Sequence, residues 1–227
     1  MSLLLVRHGQ ARAGTDDYDR LSDRGVEQAR LLGRWLANSG HAIEGVLTGG
    51  MRRHRQTLDA ISEGQADAGG QPLPVAELDN TLDEFDHHAV FDGFARAHPM
   101  HESVLRGRDG GLHELGAMIH AALSAWSQDR IADVPETWAA FGTRVGRASQ
   151  TLAGRAGRDV LVVSSGGVIS RLAQAALGAS DRGAVDLNLS LRNSAVSEFH
   201  VRPHGLALGS WNTIPHLRDR RDLCTYY

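Results

Sequence analysis

Four consecutive apolar residues, Leu3-Leu4-Leu5-Val6, stop abruptly at Arg7-His8-Gly9-Gln10-Ala11. A run of this kind reads as a buried strand whose end delivers a cation, an imidazole and a flexible backbone to one place. In open α/β sheets that place, the crevice beyond the carboxyl ends of the strands, is where ligands bind. The pattern returns late in the chain, where Val160-Leu161-Val162-Val163 ends at Ser164-Ser165-Gly166-Gly167 and leads into a helix. Two glycines at a helix start leave backbone N–H groups facing any anion above it, which the helix dipole also favours.

The segments between these runs alternate in type. Ser22 or Asp23 offers an N-cap for a helix with Val26, Ala29, Leu32 and Leu36 at helical spacing, ending near Gly40. A strand over 45–48 enters Gly49-Gly50 and then a helix carrying Arg52, Arg53 and Arg55, with Met51, Leu58 and Ile61 inward. Residues 63–72 read as a connection, 74–78 as an edge-like strand, and 82–88 as an acidic turn with His87 and His88. From 90 to 157 two helical stripes follow, Leu115-Met118-Ile119-Ala122-Trp126 and Trp138-Phe141-Val145-Leu152, with Pro135 suited to the first turn of the second. Gly178 closes the helix after Gly167, and 194–201 with 206–211 form a hairpin around Pro203-His204-Gly205. The last fifteen residues are charged and read as loosely ordered.

The run 3–11 resembles the N-terminal signature of the histidine phosphatase superfamily, the phosphoglycerate mutase-like proteins. So do 21–36, the Arg53-x-x-Gln56-Thr57 spacing and 160–169, with weaker likeness near 84 and at 193–198. The resemblance implies an α/β fold: a three-layer α/β/α sandwich with a mostly parallel central sheet, forming one domain over 1–227 with a helical cap over about 85–157. It implies His8 as the nucleophile and Glu84 as the proton donor, with Asp83 and Asp86 as the fallback acids. Arg7, Arg53, Gly9, Ser165 and Gly166 are then expected around the phosphate. Two departures stand out. The family has Ser-Pro where this chain has Gly49-Gly50, and a second histidine where it has Ser165. A neutral hydroxyl gives weaker hydrogen bonds than a charged imidazole, a loss of about two to three orders of magnitude in rate by comparison with an oxyanion donor. His54, His87 and His88 are the imidazoles available to compensate.

Phosphoryl transfer through histidine needs a neutral ring nitrogen, cations for the non-bridging oxygens and an acid for the leaving oxygen. The expected activity is therefore metal-independent phosphomonoester hydrolysis through a phosphohistidine on His8, as in histidine-type acid phosphatases, with no cofactor. Two other readings stay open: a catalytically impaired module that binds a phosphorylated ligand, and a serine hydrolase using Ser165. Composition bounds the partners. A net charge of -3 without a basic run predicts no nucleic-acid footprint. Twelve histidines lie scattered without metal-binding spacing, and a single Cys224 excludes an internal disulfide. No stretch approaches a membrane span, and the N-terminal run is too short for a signal peptide, so a cytoplasmic protein is expected. The expected partner is a phosphorylated small molecule or a phosphoprotein, and the oligomeric state is left open.

Overall fold

The computed structural model describes residues 2–12, 19–105 and 111–226 of the 227-residue chain. The polar stretch that includes Gly14 falls largely outside them. In chain order the elements are β1 (Leu3–Arg7), α1 (Asp23–Asn38), β2 (Ile43–Thr48), α2 (Arg52–Asp67), β3 (Glu77–Leu78), α3 (His87–Ala97), α4 (Glu102–Leu105), α5 (Leu112–Ser127), α6 (Trp138–Ala153), β4 (Asp159–Ser164), α7 (Gly166–Leu177), α8 (Asp181–Ser190), β5 (Val196–Arg202) and β6 (Gly205–Thr213).

The strands form one sheet in the order β3-β2-β4-β1-β5-β6. The first four are parallel, β5 runs antiparallel to β1, and β6 pairs antiparallel with β5. Because successive strand side chains point to opposite faces, the apolar runs feed two cores. Leu4, Val6, Leu161 and Val163 pack with Ala29, Leu32 and Leu36 of α1 and Ala60 and Ile61 of α2. Leu3, Leu5, Val160 and Val162 face Phe141, Val145 and Leu152 of α6 and Val168, Ile169 and Leu172 of α7. This is the expected three-layer α/β/α sandwich. Trp126 and Phe141 are fully buried in the second core beside Phe85, which makes them packing residues.

Several boundaries differ from expectation. Residues 63–67, read as a connection, continue α2, and Gly64 is a contact rather than a break. A Cβ on it would fall 2.0 Å from the Arg30 carbonyl oxygen, and one on Gly33 2.0 Å from that of Ile61, so these glycines let α1 and α2 approach closely. The edge strand shortens to Glu77–Leu78. Pro135 precedes α6 altogether, and Thr137 is the N-cap, accepting from the Ala140 N–H. Helix α8, unassigned from sequence, starts at the N-cap Ser180 and buries Ala184 and Val185. The expectation of a loose C-terminal stretch is wrong. Leu217 and Leu223 are buried, and the fully buried Gln28 donates to Leu223 O at 2.6 Å and Thr225 Oγ1 at 2.9 Å. Scattered buried leucines and one backbone contact outweigh local charge there.

Candidate active site

The parallel register brings the ends of β2, β4 and β1 level: Thr48 pairs with Val163, and Arg7 with Ser164. The residues that follow them, Gly49, Ser165 and His8, therefore emerge side by side at the carboxyl edge of the sheet. The His8 N–H donates to Ser164 O at 2.9 Å, the Gly49 N–H to Val163 O at 3.1 Å. The His8 carbonyl accepts from the Ser194 N–H at 3.2 Å and from Asn193 Nδ2 at 3.4 Å. His8 is thus held by β4 on one side and by the turn that leads into β5 on the other.

The His8 imidazole is buried, and its Nδ1 lies 2.7 Å from Gly9 O. A carbonyl only accepts, so Nδ1 carries the proton and Nε2 presents its lone pair. Arg53 Nε donates to that Nε2 at 3.1 Å, consistent with the same tautomer. Burial, then the charges of Arg53 and Arg7, hold the His8 pKa well below its ordinary value, so the ring is neutral at neutral pH.

Arg53 is buried at the first turn of α2, its Nη1 donating to Asp19 Oδ1 at 2.8 Å. Asp19 Oδ2 also accepts from the Arg52 N–H at 2.8 Å, so one carboxylate both meets the helix start and aims the arginine. Sequence reading passed over Asp19, which stood among several polar residues of a loop. Arg52 and Arg55 are exposed. The Gln-Thr pair earns its spacing mechanically: Thr57 Oγ1 donates to Arg53 O at 2.7 Å and accepts from the Gly9 N–H at 3.1 Å, while Gln56 Oε1 accepts from the Leu21 N–H. The Gly9 amide is therefore engaged with Thr57, and a Cβ at Gly9 would fall 2.4 Å from Gly25 O. Its place in the structure is a close approach to α1.

Arg7 donates through Nη1 to Leu191 O and, at 2.8 Å, to Tyr226 O, which sets its guanidinium beside Gly166. Glu84 is fixed at the other side of the α7 N-terminus. Its Oε2 accepts from the Gly167 N–H at 3.0 Å, and a Cβ on Gly167 would fall 2.2 Å from Oε1. Burial raises the Glu84 pKa above its ordinary value, against the lowering effects of the Gly167 hydrogen bond and of Arg53 and Arg7. The fallback acids are occupied elsewhere: Asp83 Oδ1 accepts from the Gly50 N–H, and Asp86 caps α3 by accepting from the Ala89 N–H.

Ser165 is fully buried at the N-cap of α7, yet its side chain makes no capping hydrogen bond. Instead Oγ meets His54 Nε2 at 2.7 Å and accepts from Arg53 Nη2 at 3.5 Å. Of the three candidate imidazoles, His54 is the one in contact with Ser165. His54 has zero exposure, and burial followed by the Arg53 charge lowers its pKa to about 3. The His87 and His88 rings pack in a tilted arrangement, centroids 4.1 Å apart, at the start of α3, and burial lowers the His87 pKa to about 3. Among the described residues, no group of His, Cys, Asp and Glu is arranged to hold a metal ion, and no helix is long and apolar enough to cross a membrane.

The chain matches the histidine phosphatase superfamily (branch 1) over residues 3–103 and 104–214. No curated protein matches. Solved structures do. The alpha-ribazole phosphatase of Shigella flexneri is 21% identical with a TM-score of 0.63, over 94% of this chain and 96% of that one. The phosphoglycerate mutase of Bacillus anthracis is 18% identical with a TM-score of 0.62, over 96% and 95%. The phosphoserine phosphatase of Entamoeba histolytica, solved with 3-phosphoglyceric acid, is 18% identical with a TM-score of 0.60, over 95% and 98%. At these identities the likeness is one of fold.

Proposed function

Since this chain belongs to the histidine phosphatase superfamily, we propose that it is a metal-independent phosphatase acting on phosphorylated small molecules through a phosphohistidine at His8. The observation that carries the reading is the Arg53 Nε to His8 Nε2 contact at 3.1 Å with Nδ1 turned to Gly9 O. It leaves one ring nitrogen unprotonated, at the spot where a guanidinium can hold a phosphoryl oxygen.

His8 Nε2 attacks phosphorus as the P–O ester bond breaks. As Nε2 leaves Arg53 for phosphorus, the N–H groups of Arg53 are released to the non-bridging oxygens, and Arg7 meets the same group from the β1 side. Glu84, whose protonated form burial favours, gives its proton to the leaving oxygen. In the second step its carboxylate takes a proton from water as water displaces His8, releasing inorganic phosphate. Ser165 and the Gly166 end of α7 complete the oxyanion surroundings, and the helices over about 85–157 form the cap that selects the substrate. Among open substrates, a small phosphomonoester of the kind named for the structural neighbours is favoured over a phosphoprotein by the burial of His8.

Rapid quenching with a radiolabelled substrate tests this. An acid-labile, base-stable phosphoenzyme is expected in the native chain and none in His8→Ala, with turnover of p-nitrophenyl phosphate unaffected by chelator. Turnover that survives His8→Ala would overturn the mechanism, and retained phosphate binding without turnover would favour a binding module.

The 2.7 Å Ser165–His54 contact gives the serine-hydrolase reading one observation in its favour. Electrostatics oppose it. A base that deprotonates serine must become an imidazolium, and His54 resists protonation down to about pH 3 because it is buried beside Arg53. No labelling of Ser165 by a fluorophosphonate is expected.

A further inference from the structure

The contacts around His8 form a chain of hydrogen bonds that runs from Gly9 through Arg53 and Ser165 to His54. His8 Nδ1 donates to Gly9 O, so Nε2 accepts from Arg53 Nε at 3.1 Å. A guanidinium only donates, so Ser165 Oγ accepts from Arg53 Nη2 at 3.5 Å. With the Arg53 N–H accepted, the hydroxyl still has its proton to give, and His54 Nε2 lies 2.7 Å away to take it when that nitrogen carries the lone pair. On the far side of that ring, Nδ1 faces Asp83 Oδ1 at 3.9 Å, which favours the proton on Nδ1 and the lone pair on Nε2. Ser165 stands at an N-cap position without capping, which leaves its Oγ lone pairs for Arg53.

Room for this ring comes from Gly49. A Cβ there would fall 2.3 Å from His54 Nδ1 and 2.7 Å from Asp83 Oδ1. Gly49 follows β2 and Ser165 follows β4, so the imidazole bridges two neighbouring strand ends while anchored in α2. The absent Cβ, the buried imidazole and the uncapping serine make one device built from three segments.

We propose that His54 is a positioning residue for the phosphoryl-binding arginine: by taking the Ser165 hydroxyl proton it turns the Oγ lone pair toward Arg53 and fixes the plane of that guanidinium beside His8. The role is exerted through Ser165, without contact between His54 and substrate. It rests on the phosphatase reading for its catalytic consequence, whereas its effect on oxyanion binding does not.

Two measurements on the full chain test it, kcat with KM for p-nitrophenyl phosphate and affinity for orthovanadate by calorimetry. His54→Leu keeps apolar bulk but removes the acceptor, and loss of a buried hydrogen bond of this kind is expected to weaken vanadate binding and lower kcat by about tenfold each. His54→Gln, which returns an acceptor near the Nε2 position, restores most of both. Ser165→Ala causes a similar loss, and combining it with His54→Leu adds little, because both break the same chain. Gly49→Ala is deleterious in the native chain and less so in His54→Ala, where only Asp83 Oδ1 still crowds the added Cβ. Long-range proton–nitrogen NMR of the native protein shows His54 protonated at Nδ1 alone. Vanadate affinity unchanged in His54→Leu, losses that multiply with Ser165→Ala, or a proton on His54 Nε2 would overturn the proposal. Inactivity of the native chain with the vanadate pattern intact would instead reject the phosphatase reading and leave the positioning role standing.

Discussion

At the scale of single residues, the site pairs two groups pushed in opposite directions by the same burial. His8 is driven toward its neutral form and Glu84 toward its protonated form, the states that the proposed attack and leaving-group protonation require. The consequence for pH follows from the signs. Since the His8 pKa lies well below its ordinary value, acidification is expected not to disable this proposed nucleophile until well below pH 6.5. Since the Glu84 pKa lies above its ordinary 4.5, activity toward esters with poor leaving groups falls as pH rises through that raised value. A rate profile with an acidic optimum is expected, and an alkaline optimum would reject Glu84 as the donor. In Glu84→Gln, turnover of an alkyl phosphate should fall far more than that of p-nitrophenyl phosphate, whose leaving group needs no proton. Equal losses on both substrates would point to a role for Glu84 in binding alone.

At the scale of elements, α1 and α2 show how little separates a break from a contact. Gly33 and Gly64 lie inside helices, where glycine costs about 0.5–1 kcal/mol relative to alanine. That preference is overridden because each lets the opposing backbone approach to where a methyl group would stand. Gly64→Ala should therefore destabilise the protein, by roughly 1–3 kcal/mol as for overpacking, despite its higher helix propensity. Urea denaturation measures this, and a stabilised Gly64→Ala would show that the helices can part freely. Arg53, His54 and Thr57 all ride on α2, so the same variant should also reduce vanadate affinity. Caps were easier to anticipate: Ser22 closes the start of α1 as its sequence suggests, accepting from the Gly25 N–H.

At the scale of the whole molecule, stability should depend on pH through imidazoles buried without charge. His54 and His216 both have pKa values lowered to about 3, in each case by burial first. A histidine whose folded pKa is depressed contributes its full stability above its unfolded pKa near 6.5 and loses it as pH falls toward the folded value. Between these limits the unfolded chain binds the extra protons, at a cost of at most ~1.4 kcal/mol per pH unit for each group. The melting temperature should therefore drop between pH 6.5 and 4, and His216→Gln should flatten that drop. An unchanged slope in this variant would mean that His216 is protonated in the native state. The C-terminal turns are coupled to the rest through Gln28, which also accepts from the Gln10 N–H at 2.9 Å. Gln28→Ala should make the segment after Leu217 more susceptible to limited proteolysis.

The linear pattern of residues marked the alternation of strands and helices and the two glycine-rich strand ends that meet at the carboxyl edge of the sheet, and the family resemblance it carries implied the layered α/β architecture. Apolar runs, helical periodicity and strand-end glycines are local features, and burial on both faces of a sheet leaves them unambiguous. Tertiary structure alone decided that His54 reaches Ser165, that Asp19 aims Arg53, that Gly9 lies against α1 and that the charged C-terminal stretch is anchored. Each of these depends on the register of neighbouring strands and on the approach of one backbone to another. Such distances are set by residues far apart in the chain, so no local pattern records them.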